Sequence, residues 1–305
     1  MSKFKIVGMM VLIAFAMGIV LMGDAVAAPS VKKVTISGTE LTYIEDGKGE
    51  PVVFVHGAVS DWRTWEGVRP FIAQKYCFVS YSRRYHFPNV WTDDGQNYTM
   101  SQHVEDLAAF IGALNVGRVH LVGHSWGGIV AGIMALKYPE LVQSLVLSEA
   151  RLIAQVSPEG EEATQAFGQD TAKSKAAALS GDYNQAVVLL VDAVSGASGA
   201  WNSFPPDAQQ SFLDNARAVA AMHKAPATRL PSCAELGKFN IPVMVLGSEK
   251  SRANYRFANE RLLQCLPKGT EQAVIPGAGH LWPPVNPKGG AEAIIRFIEK
   301  HPISK

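Results

Sequence analysis

Short apolar runs alternate with longer amphipathic stretches along most of the chain. The apolar runs contain many β-branched residues and almost no charge, as parallel strands covered on both faces do. We predict such strands at residues 52–55, 77–81, 119–122, 145–147, 243–246 and 272–275. Because the helical stretches fall between them, the pattern predicts an α/β fold with a mostly parallel sheet.

Turn and capping residues indicate where two further elements begin. Residues 31–37 and 41–45 have strand-forming composition, and Gly38 provides the turn of a β-hairpin between them. Thr99 and Gln102 form a capping-box pattern that opens an amphipathic helix.

The alternation breaks in the segment at residues 151–231. This segment is rich in alanine, has helical periodicity and is interrupted by glycines and by a Pro-Pro pair at 205–206. The strand pattern resumes at Ile241, which disfavours a separate domain. We therefore predict a helical cap at 151–231, inserted after the sixth strand into a core of residues 28–150 and 232–305.

The N-terminus has the three parts of a secretory signal peptide. Lys3 and Lys5 precede an uncharged apolar stretch at residues 6–22, and small residues follow at 25–28. We expect residues 1–27 to be removed and the remaining chain to be exported to the periplasm or secreted, without stable membrane association. A retained anchor is the alternative, since the stretch approaches the ~20 residues that span a bilayer.

Charge and cysteine content narrow the classes of partner. Without residues 1–27 the chain has 26 basic and 26 acidic residues. This balance argues against nucleic acid or an anionic surface as partner and leaves a small molecule as the expected partner.

Cys77, Cys233 and Cys265 lack the spacing of a metal site, and no cofactor motif is present. Export permits a disulfide, for which Cys233 and Cys265 are the pair to test, but three thiols do not form a disulfide framework and all three can be buried apolar residues.

The strongest chemical signal is the sequence G-H-S-W-G-G at residues 123–128. It lies between the predicted strand at 119–122 and a predicted helix, which is the context of a nucleophile elbow. In this turn a strained serine, Ser125, exposes its hydroxyl, and the helix amides point at developing negative charge. A glycine-rich turn without chemistry is the alternative.

A serine hydroxyl needs a base, and His280 is the best-placed histidine. It ends the loop P-G-A-G-H at residues 276–280, directly after the last predicted strand. Because the carboxyl ends of parallel strands meet at one edge of a sheet, this loop should lie beside Ser125. We expect His124 to point away from its neighbour.

The strand at 52–55 runs into His56, Gly57 and Ala58, a loop that can supply an amide to an oxyanion hole. We predict that the two donors are the backbone amides of Ala58 and Trp126. We expect His56 to hold the loop by hydrogen bonds rather than to serve as a second base.

The third member of a triad is a carboxylate that orients the imidazole. It should lie between Ser125 and His280 in the chain. The loop after the strand at 243–246 contains Glu249 but no Asp, whereas the loop after the preceding strand contains Glu149. We predict Glu149 as the acid, with Glu249 as the alternative.

Together these motifs resemble the α/β-hydrolase superfamily, and most closely its esterase, lactonase and cofactor-free haloperoxidase-like branch. The resemblance covers about residues 40–300 and implies an eight-stranded sheet, a helical cap and a Ser-His-acid triad. Members place the acid after the sixth or the seventh strand, which is compatible with Glu149. The serine at position 125 disfavours relatives with an Asp nucleophile, such as epoxide hydrolases and haloalkane dehalogenases.

The motifs and the resemblance predict an enzyme that hydrolyses a small or medium carboxylic ester or lactone through an acyl-enzyme intermediate. One alternative is C–C bond hydrolysis or perhydrolysis with the same triad. Another is a ligand-binding protein of low turnover on the same fold.

Substrate recognition has weaker signals. Four tryptophans flank the predicted catalytic loops, namely Trp62, Trp65, Trp126 and Trp282. They either bind an apolar or aromatic substrate group or, as is commoner, pack in the core. Arg83 and Arg84 follow a strand end, and we interpret them as solvated arginines, with a substrate carboxylate as the other option.

Overall fold

The strands form one continuous eight-stranded sheet. A computed structural model describes residues 30–304. The strands are β1 Val31–Ile36, β2 Thr39–Asp46, β3 Pro51–Val55, β4 Cys77–Tyr81, β5 Val119–His124, β6 Val142–Ser148, β7 Val243–Ser248 and β8 Glu271–Ile275. Their order in the sheet is β1-β2-β4-β3-β5-β6-β7-β8. The predicted fold class is therefore confirmed.

The antiparallel part of the sheet is confined to one edge. β1 and β2 form the predicted hairpin, and β2 also pairs antiparallel with β4. The turn residues Ser37 and Gly38 have φ values of 47° and 74°, the left-handed conformation that a two-residue hairpin turn requires. All other neighbouring strands are parallel.

Helices occupy most connections between strands. They are α1 Arg69–Ile72, α2 Met100–Leu114, α3 Trp126–Lys137, α4 Pro158–Leu179, α5 Tyr183–Ser195, α6 Pro206–Leu213, α7 Ala216–Lys224, α8 Cys233–Leu236, α9 Ala253–Cys265 and α10 Pro287–Ile298. Thr99 caps α2 as predicted, because its hydroxyl accepts a hydrogen bond from the amide of Gln102 at 3.1 Å. No helix in residues 30–304 is both long and apolar enough to cross a lipid bilayer.

Both faces of the sheet are covered by apolar layers. Every residue of β3 and β5 is buried, as the uninterrupted apolar runs predict. Successive side chains alternate between the layers: Leu121 packs in the cluster that contains α2 and α3, and Val122 packs in the cluster that contains α10.

Helices α4 to α7 lie between β6 and β7 and form the helical cap that the fold class predicts. They enclose an apolar cluster of their own, which also includes Val59 from the loop after β3. Two ion pairs attach the cap to the core, Arg63–Asp214 at 2.8 Å and Arg252–Asp170 at 2.6 Å. The cap therefore packs directly onto the edge of the sheet that carries the predicted catalytic loops.

A disulfide joins Cys233 and Cys265, the candidate pair, and links α8 to α9. Cys77 is the free cysteine of the described chain. The expected signal peptide at residues 1–27 lies outside the described residues.

Candidate active site

The ends of strands β5, β6 and β8, at one edge of the sheet, bring the predicted catalytic residues to one place. In the sheet register, His124 at the end of β5 pairs with Ser148 at the end of β6. The next residues in the chain, Ser125 and Glu149, therefore leave adjacent strands side by side. The amide of Ser125 donates to the carbonyl of Ser148 at 2.8 Å, which fixes the two turns to each other. The loop after β8 completes the group with His280.

Ser125 occupies the strained turn that the motif predicts. Its φ of 53° and ψ of −123° are unfavourable for a residue with a side chain. The turn is held by close packing behind it, since a Cβ at Gly127 would collide with the carbonyl oxygen of His56. The elbow and the loop after β3 can approach this closely only with glycine at position 127.

The side chains of Ser125, His280 and Glu149 form one hydrogen-bonded chain. His280 Nε2 lies 2.9 Å from Ser125 Oγ, and His280 Nδ1 lies 3.3 Å from Glu149 Oε2. Glu149 and His280 are buried, whereas Ser125 is partly accessible. With the proton on Nδ1 donated to the carboxylate, Nε2 is free to accept the serine proton.

The structure brings Glu149, and not Glu249, to the imidazole. Glu249 is exposed, and its carboxylate accepts a hydrogen bond from the amide of Gly277 at 2.6 Å. Glu249 thus holds the first part of the loop that carries His280. Glu149 has a φ of 53°, so the turn after β6 is strained like the elbow beside it.

Two residues that sequence reasoning missed support this group. The hydroxyl of Ser251 donates to Glu149 Oε2, the oxygen that also faces His280. The ring of Tyr255 stacks on the imidazole of His280 with centroids 3.9 Å apart and planes inclined by 16°. Burial and the nearby Glu149 raise the pKa of Tyr255, which therefore stays neutral. Ser251 lies in the loop after β7, which contains no Asp, whereas no sequence signal marks Tyr255.

The two predicted oxyanion donors come from the residue that follows Ser125 and from the loop after β3. Trp126 is the first residue of α3, where backbone amides have no partner within the helix. Ala58 lines the same cavity as Ser125. Neither amide donates a backbone hydrogen bond within residues 30–304.

Two histidines near Ser125 hold the backbone. The amide of Arg83 donates to His56 Nε2 at 2.9 Å, so the proton of His56 lies on Nδ1 and is donated to the carbonyl of Gly57. His124 Nε2 donates to the carbonyl of His280 at 2.8 Å. Burial, and then the charge of His280, lower the pKa of His124 to about 3. The expectation that His124 points away from the site is wrong, because this ring lines the cavity and packs against His280.

A small cavity of about 40 Å³ opens beside Ser125. Its wall is mainly apolar and includes Val59, Leu190, Val194, Phe212, Leu281 and Pro283. No Lys or Arg from the described chain lines it. A larger groove of about 670 Å³ adjoins it and shares Thr64, Phe212, Pro283 and Pro284. The site therefore offers an apolar inner pocket with a wider outer groove.

Two of the tryptophans pack in the core, which was the commoner of the two expectations, whereas both arginines differ from expectation. Trp65 and Trp282 are fully buried in the core, and Trp62 lines the outer groove rather than the inner cavity. Arg83 and Arg84 are both buried, so neither is a solvated arginine. Arg84 forms an ion pair with Asp106 at 2.6 Å, and Arg83 binds backbone carbonyls. Strand-end position alone did not predict these partners.

No cluster of three His, Cys, Asp or Glu side chains in residues 30–304 is arranged to hold a metal ion.

Comparison with known families agrees with this architecture. The model described as the Alpha/beta hydrolase family matches residues 52–293, well over half of the chain. The protein belongs to the alpha/beta hydrolase family.

Individual relatives are more distant. The chain is similar to cis-3-alkyl-4-alkyloxetan-2-one decarboxylase of Shewanella oneidensis, with 34% identity over 113 residues that cover 36% of each protein. It thus spans little more than a third of that relative's length. A longer alignment, with 2-(acetamidomethylene)succinate hydrolase of Mesorhizobium japonicum, is 26% identical over 280 residues and covers 88% of this chain and 95% of the relative. A thermophilic esterase structure from Thermogutta terrifontis shares the fold, with a TM-score of 0.70 and 23% identity over 90% of this chain and 100% of that one.

Proposed function

We propose that this protein is a serine hydrolase that cleaves a small or medium carboxylic ester or lactone. The observation that carries the proposal is the continuous contact from Ser125 through His280 to a buried carboxylate. Two unpaired amides beside the serine provide the second requirement of acyl transfer, a place for the oxyanion.

The geometry supports a two-step reaction. His280 Nε2 takes the proton of Ser125 as its Oγ attacks the carbonyl carbon, and the carbonyl electron pair moves onto oxygen. The amides of Ala58 and Trp126 bind this oxyanion. As the intermediate collapses, His280 returns the proton to the leaving alcohol, and an acyl-serine remains. Water then attacks the acyl group with His280 as base again, and the carboxylic acid is released.

The shape of the site favours a small, neutral acyl group. The cavity of about 40 Å³ at Ser125 is much smaller than the ~300–1,000 Å³ of pockets that enclose a drug-sized ligand. Its apolar wall contains no cationic side chain among the described residues, so an anionic acyl group would lack a partner. The outer groove provides room for a larger alcohol group. The similarity to an oxetan-2-one decarboxylase supports including lactones, because an oxetan-2-one is a four-membered cyclic ester.

The test compares the native protein with Ser125→Ala on p-nitrophenyl esters and on a lactone panel. We expect turnover and fluorophosphonate labelling in the native protein and loss of both in the variant. Identification of the products separates ester hydrolysis from C–C cleavage or perhydrolysis. Labelling that persists in Ser125→Ala would remove this serine from its proposed role.

We also propose that residues 1–27 are a signal peptide and that the mature protein is exported. The disulfide between Cys233 and Cys265 supports this, since such bonds persist mainly in oxidising compartments. N-terminal sequencing of protein recovered from cell fractions tests the cleavage. An intact N-terminus in the cytosolic fraction would contradict it.

A further inference from the structure

Arg83 is a buried cation whose partners are all uncharged. Its side chain is almost completely buried, with 1% of the residue exposed. Its guanidinium contacts the carbonyls of His56 and Gly57 and the hydroxyl of Tyr98, and no carboxylate of the described chain forms an ion pair with it. A buried charge without a counter-ion is costly, so an uncompensated Arg at this point needs a reason.

The contacts of Arg83 lead directly to the first oxyanion donor. Arg83 Nη2 donates to the carbonyl of Gly57 at 2.7 Å, and His56 Nδ1 donates to the same oxygen at 2.9 Å. This carbonyl belongs to the peptide group that also contains the amide of Ala58. In a trans peptide the C=O and N–H bonds point in opposite directions. Because Arg83 and His56 hold the carbonyl oxygen of Gly57, the N–H of Ala58 points away from Arg83.

Arg83 also contacts the second donor residue. Its guanidinium carbon lies 4.5 Å from the centre of the Trp126 ring, the side chain of the residue that provides the other amide. The positive charge of Arg83 also acts on nearby groups. After burial, it is the second-largest cause of the lowered pKa of His56, His86 and His103. Those three histidines stay neutral and leave the positive charge on Arg83.

We propose that Arg83 is a positioning residue that orients and polarises the Gly57–Ala58 peptide so that its amide can bind the oxyanion. The inference rests on the proposed hydrolase function and adds a residue outside the triad to it. A hydrogen bond from a cation to a peptide oxygen draws electron density from the amide nitrogen and makes its N–H a stronger donor. The contribution appears only when negative charge develops on the substrate, which is in the transition state.

Two variants disturb the contact of Arg83 with the oxyanion loop in different ways. Arg83→Lys keeps the cation but cannot donate to both carbonyls from one rigid fork, and Arg83→Gln keeps one donor but removes the charge. Loss of a complete oxyanion donor lowers kcat by roughly 10²–10³-fold. Because the Ala58 amide remains but is weakened, we expect kcat to fall by about 10–100-fold in both variants while KM changes by less than about threefold.

Arg84→Lys is the matched control. Arg84 is the next residue, is also buried and pairs with Asp106 rather than with the oxyanion loop. We expect its kcat to stay within about threefold of the native value. Active sites are counted by fluorophosphonate titration, and circular dichroism checks folding, so that misfolded protein does not lower the apparent kcat.

A second measurement distinguishes positioning from a purely structural role. A trifluoromethyl ketone forms a tetrahedral adduct with its oxygen in the oxyanion hole, whereas a product carboxylic acid does not reproduce the transition state. Ketone affinity should fall in parallel with kcat/KM in the Arg83 variants, and product affinity should not. Unchanged kcat and ketone affinity in folded Arg83→Lys and Arg83→Gln would overturn the inference and leave the proposed function intact. Absence of Ser125-dependent turnover in the native protein would overturn both.

Discussion

Replacing Glu149 with Gln tests the proposed acid, because the change removes the charge and keeps the size of the side chain. The imidazole of His280 donates from Nδ1 to Glu149 Oε2, which leaves Nε2 free to accept the proton of Ser125. A Gln amide can present its NH₂ group to Nδ1 and then favours the opposite tautomer. In that tautomer Nε2 carries the proton and cannot act as the base.

The size of the effect follows from the environment of the carboxylate. Glu149 is fully buried, so water cannot replace the lost charge when the imidazolium forms. The corresponding change in the well-studied Ser-His-Asp triad lowers kcat by ~10⁴-fold. The Glu149–His280 distance of 3.3 Å is longer than an ideal hydrogen bond, and the stacked Tyr255 continues to support the ring. We therefore expect a loss of about 10³-fold in kcat, or about 4 kcal/mol of transition-state stabilisation.

Glu249→Gln is the control for this experiment, since it makes the same substitution in an exposed carboxylate that contacts only the loop backbone. Turnover of p-nitrophenyl acetate by both variants, normalised to titrated active sites, gives the two values of kcat. Glu249→Gln should remain within about threefold of the native enzyme. The reasoning is refuted when Glu249→Gln loses several orders of magnitude and Glu149→Gln does not.

Three further changes probe the disulfide, the buried histidines and the pocket. Replacing both Cys233 and Cys265 with Ser should lower the free energy of unfolding by about 4 kcal/mol, because the bond closes a loop over a separation of 32 residues. An unfolding free energy that urea titration finds unchanged in this variant would show that the native protein does not form the bond. The pKa of His124 is about 3 in the fold and ~6.5 unfolded, so the unfolded state binds the extra proton as pH falls below ~6.5. His124 alone should then lower stability by about 1.4 kcal/mol per pH unit below ~6.5, and the buried His56, His86 and His103 should add to this loss. Urea midpoints that agree at pH 7 and pH 5 would contradict this. Phe212→Ala joins the inner cavity to the outer groove and should favour p-nitrophenyl hexanoate over acetate by about tenfold in kcat/KM, at a stability cost of about 3–5 kcal/mol. An unchanged chain-length preference would show that Phe212 does not limit the pocket.

The backbone of the site could be predicted because its signals are local. The strand before Ser125 is a continuous apolar run, and the glycines after it allow one kind of turn. The loop of His280 follows the last strand directly, and parallel strands deliver their carboxyl ends to one edge of the sheet. The proximity of Ser125 and His280 could therefore be predicted without knowledge of the side-chain directions.

The partners of the polar side chains could not be predicted in the same way. Arg83 and Arg84 are neighbours at one strand end, yet one pairs with Asp106 on α2 and the other with the backbone of the loop after β3. Tyr255 reaches His280 from α9 although nothing in its sequence neighbourhood marks it. Such contacts depend on how separate elements are oriented after packing, and neither periodicity nor spacing contains that information.

The position of the Glu149 carboxylate shows why the acid of the proposed triad can follow β6. β6 and β7 are adjacent and parallel, and the amide of Glu149 bonds to the carbonyl of Leu246 on β7 at 3.0 Å. Its strained turn therefore directs the longer Glu side chain toward the space beyond the end of β7, where the resemblance places an Asp in other members. The loop after β7 has no Asp, and its Ser251 donates a hydrogen bond to the incoming carboxylate instead. In this chain the loop after β6 supplies the charge and the loop after β7 supplies a donor, so the imidazole of His280 contacts a carboxylate oxygen although the loop after β7 has no Asp.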